Sequence, residues 1–210
     1  MADLSMNQII HAAVLRDVAR TEQALRTMRD GDSARAKQIQ RGWAHLVEQL
    51  THHHEQEDAL VWPYLRTQGV DADLLTAMES EHQDLAEALR RGSEALSAVV
   101  ADPSSGRTEA AAAVISESGR VISGHLEHEE GDVEPLLRER SEHPGWKAVE
   151  RKFREGGVTR AGAMMAWLQD GAGPRERTAL RGTIPPPVLL VLSKVFGRRY
   201  TRDVAPIWRG

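Results

Sequence analysis

The stretch HHHEQEDALVWPYL, His52–Leu65, decides the reading of this chain. In a helix, His53 and Glu57 stand four apart, so both side chains leave the same face one turn from each other. Pro63 follows His53 by ten residues. The arrangement returns in HLEHEEGDVEPLL, where His125 is followed at four by Glu129 and at ten by Pro135. Each Glu is followed by a second acid, Asp58 or Glu130. One His-x-x-x-Glu pair is common by chance. Two copies in one register against a proline mark an internal duplication that carries metal-ligand chemistry.

Working outward, helix signals dominate. A first helix opens at Ser5, with Gln8 as capping-box partner, and closes before Gly31. A second follows Ser33, with Ile39, Trp43, Leu46, Leu50, His53, Glu57, Leu60 and Tyr64 on one face, and ends at Gly69. A third is capped by Asp71, carries Leu75, Met78, His82, Leu85 and Leu89, and stops at Asp102-Pro103. A fourth follows Ser104 and Ser105 and carries Ile115, Ile122, His125 and Glu129. The spacing predicts an all-α fold, an up-down-up-down four-helix bundle over residues 1–140. Residues 141–210 form a helical, basic C-terminal extension, with short helices over Trp146–Glu155, Arg160–Gln169 and Val188–Phe196. The first helix begins only about two turns before His11, which leaves one corner of the bundle short. The segment after Trp146 is expected to fold back over that corner.

Composition narrows the function. The chain is 40% hydrophobic and 28% charged, with net charge −4. No apolar run approaches the roughly 20 residues that span a bilayer, so no transmembrane segment is expected. The opening MADLSMNQII lacks the pattern of a signal peptide, and a cytoplasmic protein is expected. Cysteine is absent, so any metal is held by nitrogen and oxygen. From Lys147 onward, 13 Lys/Arg stand against 5 Asp/Glu, a net +8; the remainder, 14 against 26, carries −12. That asymmetry predicts attraction between extension and bundle. No nucleic-acid motif accompanies the basic segment. VLLVLSKVF, Val188–Phe196, is expected to pack on the bundle in preference to peripheral contact with a membrane.

The histidines test the bundle. The midpoint of His11 and His53 falls at position 32, that of His53 and His82 between Thr67 and Gln68, and that of His82 and His125 at Pro103/Ser104. All three are turns. Residues equidistant from a turn lie at equal height in antiparallel helices, so one histidine per helix meets at one level of the core. Burying four imidazoles and two carboxylates without a cation is costly. The metal ligands expected are therefore His11, His53, Glu57, His82, His125 and Glu129. His45, His52, His54 and His143 are read as solvated or at most supporting, and His128 yields to His125 on the proline register. Asp58 and Glu130 face about 100° away from their neighbouring glutamates. Six such ligands exceed one tetrahedral zinc. They suit two first-row ions, each with two histidines and bridged by the glutamates, with iron ahead of manganese.

His11, then His53-x-x-x-Glu57 leading into Trp62-Pro63, then His82, then His125-x-x-x-Glu129 together resemble the hemerythrin-like (HHE cation-binding) family, and more closely its bacterial four-His, two-Glu branch. The resemblance covers residues 1 to about 140. It implies a non-haem di-iron centre with a bridging oxo or hydroxo group, which binds or reacts with O2, peroxide or nitric oxide. It also allows an iron, oxygen or redox sensor acting through a protein partner. Ala86 stands where the oxygen carriers have a further histidine, and the last carboxylate is a Glu at four where they have an Asp at five. The missing histidine implies openings on both irons, with Asp132, Tyr64 and Tyr200 as candidates to fill one. Peroxide or nitric oxide chemistry is then expected over reversible O2 carriage, which makes a di-iron oxidoreductase a possible role.

Overall fold

The computed structural model describes residues 4–209; Met1–Asp3 and Gly210, the outer ends of the two expected segments, lie outside the described residues. Among the described residues there is no strand. Helix α1 (Met6–Arg26) opens on the expected capping box: the Ser5 hydroxyl accepts from the Gln8 N–H at 3.1 Å, and the Ser5 N–H donates to Gln8 Oε1 at 3.1 Å. Helix α2 (Ser33–Gln56) is capped one residue earlier than the sequence suggests, by Asp32, which accepts from the Arg35 N–H.

The two prolines of the duplicated motif act at the same height in different ways. Pro63 has no N–H, and its ring crowds the carbonyl four residues back. The chain absorbs this in a single π turn, Glu57–Val61, where the Trp62 N–H reaches back five residues to the Glu57 carbonyl. Helix then resumes as α3 (Trp62–Thr67). In the second copy, α4 (Ala72–Ala101) leads to α5 (Ser105–Asp132). That helix breaks at Val133 and restarts as α6 (Glu134–Glu139), with Pro135 in its first turn. An irregular turn therefore follows each His-x-x-x-Glu pair, a place where π turns recur at functional sites.

Helix α1 packs on α2 and α5, and α4 packs on the same two, which closes the four-helix ring. Val14, Ile39, Trp43, Leu46, Leu50, Leu85, Ile115 and Ile122 fill its core. A second cluster, Val61, Trp62, Leu65, Leu75, Met78 and Val133, caps the Gly69 end. Helix α7 (Pro144–Phe153) lays Trp146, Val149 and Phe153 on that cluster, with the Trp146 ring 5.7 Å from that of Tyr64.

The rest of the extension departs from the corner and runs down the α1/α2 face. Helix α8 (Val158–Gln169) sets Trp167 into the core, its Nε1–H donating to Asp17 at 2.8 Å. Helix α9 (Pro174–Thr183), helix α10 (Pro186–Val191) with its π turn Leu192–Phe196, helix α11 (Arg198–Asp203) and a 3-10 turn, Ala205–Arg209, follow. Leu180, Leu189, Tyr200 and Ala205 join the bundle core. Helix α8 crosses the π turn at Gly162, where a Cβ would lie 2.7 Å from the Leu192 carbonyl oxygen, so only glycine permits that approach.

The expected charge attraction is not how the extension is held. Among the described residues, the ion pair joining it to the bundle is Arg20–Asp170 at 3.4 Å, of the opposite sense. Apolar burial and hydrogen bonds to backbone carbonyls, Arg16 to Trp167 and Arg35 to Ile207, hold it instead.

Candidate metal centre

The six residues singled out from the sequence are all buried and meet at one level of the bundle. His11 and His53 come together from α1 and α2, ring centroids 5.4 Å apart, and His82 and His125 from α4 and α5, 4.8 Å apart. Glu57 lies between the two pairs: Oε1 is 3.2 Å from His53 Nε2 and Oε2 is 3.6 Å from His82 Nε2. Glu129 turns Oε2 to within 3.2 Å of His11 Nε2, while its Oε1 accepts from the Asn7 side-chain amide at 2.9 Å.

His54 departs from the sequence reading. It is buried, only 6% exposed, and its ring stacks on His82 at 4.1 Å and meets His125 edge-on at 5.3 Å. The cause is the breadth of the buried face on α2. Gly42 and Trp43, like His53 and His54, are neighbouring positions that are both buried, so a residue 100° from the centre of the stripe still faces the core. Three overlapping groups of potential donors result, His11 with His53 and Glu129, His54 with His82 and His125, and His53 with His54 and Glu57 between them; the donor atoms in each lie within 4.8 Å of one another.

The remaining candidates find other partners. Asp132 is exposed and approaches His128, the Tyr64 hydroxyl meets His143 Nδ1 at 3.2 Å, and the Tyr200 hydroxyl donates to Asp170 at 2.9 Å. Ala86 is exposed. His45 is half-buried beneath the extension, against Trp167 and Tyr200, and His52 meets Arg160.

Acids next to the six complete the arrangement. His82 Nδ1–H donates to Asp58 at 2.8 Å, and His11 Nδ1–H donates to Glu130 at 2.8 Å. His125 Nδ1–H donates to Glu81 at 2.8 Å. A carboxylate only accepts, so each of these protons sits on Nδ1; in His82 and His125 that leaves the Nε2 lone pair facing the core, the arrangement that prepares an imidazole for a metal. The second acid after each glutamate was visible in the sequence. Its role was not, because each acid serves the other half of the duplication: Asp58 holds the histidine of α4, and Glu130 that of α1.

The electrostatics are those of a site made for cations. Buried side-chain atoms without a hydrogen-bond partner include His54 Nε2, His82 Nε2, His125 Nε2 and Glu57 Oε2. Such atoms are rare in folded proteins and each is costly. Burial, with Glu129 close by, raises Glu57 well above the usual carboxylate range. Burial and the neighbouring His11 depress His53 to about 3, and burial and His53 depress His54. Burial opposes a charge on His11, but the hydrogen bonds to Glu129 and Glu130 overcome it and raise His11 to about 9. In the metal-free chain the His11 proton is the positive charge that faces Glu129.

A protein-family comparison matches residues 10–137 to the hemerythrin HHE cation-binding domain. No curated protein and no solved structure matches the chain.

Proposed function

Because the chain belongs to the hemerythrin HHE cation-binding family, we propose that it holds two iron ions through His11, His53, Glu57, His82, His125 and Glu129, with His54 as a seventh ligand. On this reading residues 1–140 are the metal-binding bundle and 141–210 an extension that covers it. The observation that carries the proposal is the set of four partnerless buried donors, three imidazole nitrogens and Glu57 Oε2, at a level where Glu57 lies between the two histidine pairs. One side offers two imidazoles, Glu129 and Glu57; the other offers three imidazoles and Glu57. Nitrogen and carboxylate donors inside a helical bundle suit iron, with manganese second.

Iron held by these residues would supply the electrons for reaction with O2, peroxide or nitric oxide. The chain's own residues do the rest. Asp58, Glu81 and Glu130 fix three imidazoles, Asn7 fixes Glu129, and Trp62 closes the Gly69 end while its Nε1–H donates to Asp58 at 2.9 Å. His11, His53, Glu129 and Glu57 would hold one ion and His54, His82, His125 and Glu57 the other, and four side-chain donors each would leave room for a small ligand on both, which supports peroxide or nitric oxide chemistry over reversible O2 carriage.

Protein purified without chelators is expected to hold about two iron ions per chain. His53→Ala and Glu129→Ala are each expected to lose iron, and His52→Ala to keep it; full iron in both of the first two variants would overturn the assignment. Stopped-flow mixing of the reduced protein then tests reactivity. Consumption of many equivalents of peroxide or nitric oxide marks turnover, a stoichiometric spectral change marks a sensor, and an O2 signal reversed by lowering O2 restores the carrier.

The pH dependence has a definite sign. An ion must displace the His11 proton, so iron affinity is expected to rise about tenfold per pH unit between 6.5 and 9 from that proton alone. The metal-free protein moves the other way. His11 is raised on folding, so its contribution is complete below the unfolded value near 6.5 and is lost as pH rises through about 9. Chelator competition and thermal melts of the two forms, each across that range, check both signs.

A further inference from the structure

We propose that the protein docks on anionic lipid surfaces through the ridge formed by α10, its π turn and the start of α11. Leu189 and Ser193 bury the inner side of this ridge. Val188, Leu190, Val191 and Val195 stand outward, 49%, 59%, 49% and 48% exposed, and with Val158 they are the large apolar residues most exposed among those described. The expectation that VLLVLSKVF packs on the bundle therefore holds for one side of the segment only.

The charge along the ridge segment is of one sign. Between Glu176 and Asp203 the chain carries Arg177, Arg181, Lys194, Arg198, Arg199 and Arg202 and no acid. Every ridge residue lies in that interval. Among the described residues, Arg181, Lys194 and Arg199 make no ion pair or side-chain hydrogen bond, and Arg198 meets only the Lys194 carbonyl. Exposed aliphatic side chains among unpaired cations are the two signals that together hold a protein at a membrane interface, since either alone is weak.

The ridge lies on a bilayer and does not cross it. From Pro186 to Phe196 it is 11 residues, about 17 Å of helix against a hydrocarbon core of about 30 Å. Its axis is bent by 111° from that of α9. No single helix among the described residues is long and apolar enough to span. Lipid also fits better than the other occupants. A second copy would bring like charges together. An acidic protein partner would be gripped through aromatic anchors in pockets, whereas the exposed apolar side chains here are Val and Leu. The residues before Lys147, with net charge −12, are repelled by the same surface, which sets one orientation.

Flotation of the full chain with vesicles tests the proposal. It is expected to float with mixed phosphatidylcholine and phosphatidylserine vesicles, to stay behind with phosphatidylcholine alone, and to release in high salt. Lys194→Gln with Arg198→Gln is expected to weaken binding about 30-fold. Leu190→Glu with Val191→Glu is expected to abolish it. Helical circular dichroism and iron content should be unchanged in both variants, which separates docking from folding and from the metal site. The proposal is overturned by no flotation with the anionic vesicles, or by equal binding to neutral ones. It is also overturned if binding is indifferent to both variants, or if the wild-type chain dimerises at micromolar concentration through a contact that Leu190→Glu removes.

Discussion

With two iron ions held as proposed, substituting His54 with leucine is expected to cut bound iron from about two ions per chain to about one, while making the metal-free protein more stable. Leucine is the residue at the equivalent place in the second copy of the motif, where Leu126 follows His125 and is buried. The change leaves His82, His125 and Glu57 on that side, one imidazole short. Residues that merely hold a ligand in place are worth about 10–100-fold in metal affinity, so a ligand itself should cost at least that. The stability effect has the other sign. His54 is buried with Nε2 unpartnered, and such a group costs about 1–3 kcal/mol that leucine does not incur. Iron analysis after a chelator challenge, with melts of the metal-free form, reads both effects. Two tightly held ions in the variant would remove His54 from the ligand set.

Replacing Trp167 with alanine is expected to cost about 3–5 kcal/mol. The ring is fully buried between α8, α1 and α2, and its Nε1–H satisfies Asp17, which is itself completely buried. Arg16 and Arg20 also reach Asp17, at 3.1 and 3.0 Å, so the carboxylate keeps part of its shell. In a chain of this size the loss corresponds to a fall in Tm of about 6–20 °C. Trp167→Phe keeps an aromatic ring but loses the second ring and the donor, and is expected to cost less than the alanine change but at least the about 1–3 kcal/mol of an unpartnered buried Asp17 oxygen. Iron per folded chain should be unchanged in both, because Trp167 meets α2 at His45, two turns below His53. A melt within a degree of wild type for Trp167→Ala would show that the extension does not stabilise the bundle.

The bundle and the convergence of its four core histidines were legible because both depend on helical period and on turn positions. Trp43, Leu46, Leu50 and His53 recur at the spacing of one face, and Gly31, Gly69 and Pro103 fix the heights. His54 was not legible. Angular reasoning treats each residue as either on the stripe or off it, whereas the core of a four-helix ring is wide enough to take two neighbours. The path of the extension was hidden for a different reason. Helix α9, PRERTALRGT, offers two buried residues in ten, so its pattern reads as solvated. Helix α11 is a single short piece after Gly197. The charge imbalance suggested attraction, but ion pairs at a surface contribute little, and burial of Trp167, Leu180 and Tyr200 decides where the chain lies.

The exchange of acids between the two halves has a consequence for how such a centre can exist at all. Residues from His11 to Pro63 contain a histidine whose acid is Glu130, and an acid, Asp58, whose histidine is His82. A single helical hairpin of this type is thus self-incompatible but fits a second copy of itself, since what each lacks the other presents across a two-fold axis. That is the logic of a symmetric dimer, in which the same contact is made twice. Joining two hairpins in one chain keeps both contacts and frees each half to change alone. His54 and Leu126, at equivalent places in the two halves, differ in this way. One half has a nitrogen donor where the other has a methyl-rich wall, so the doubled site has two unlike ends.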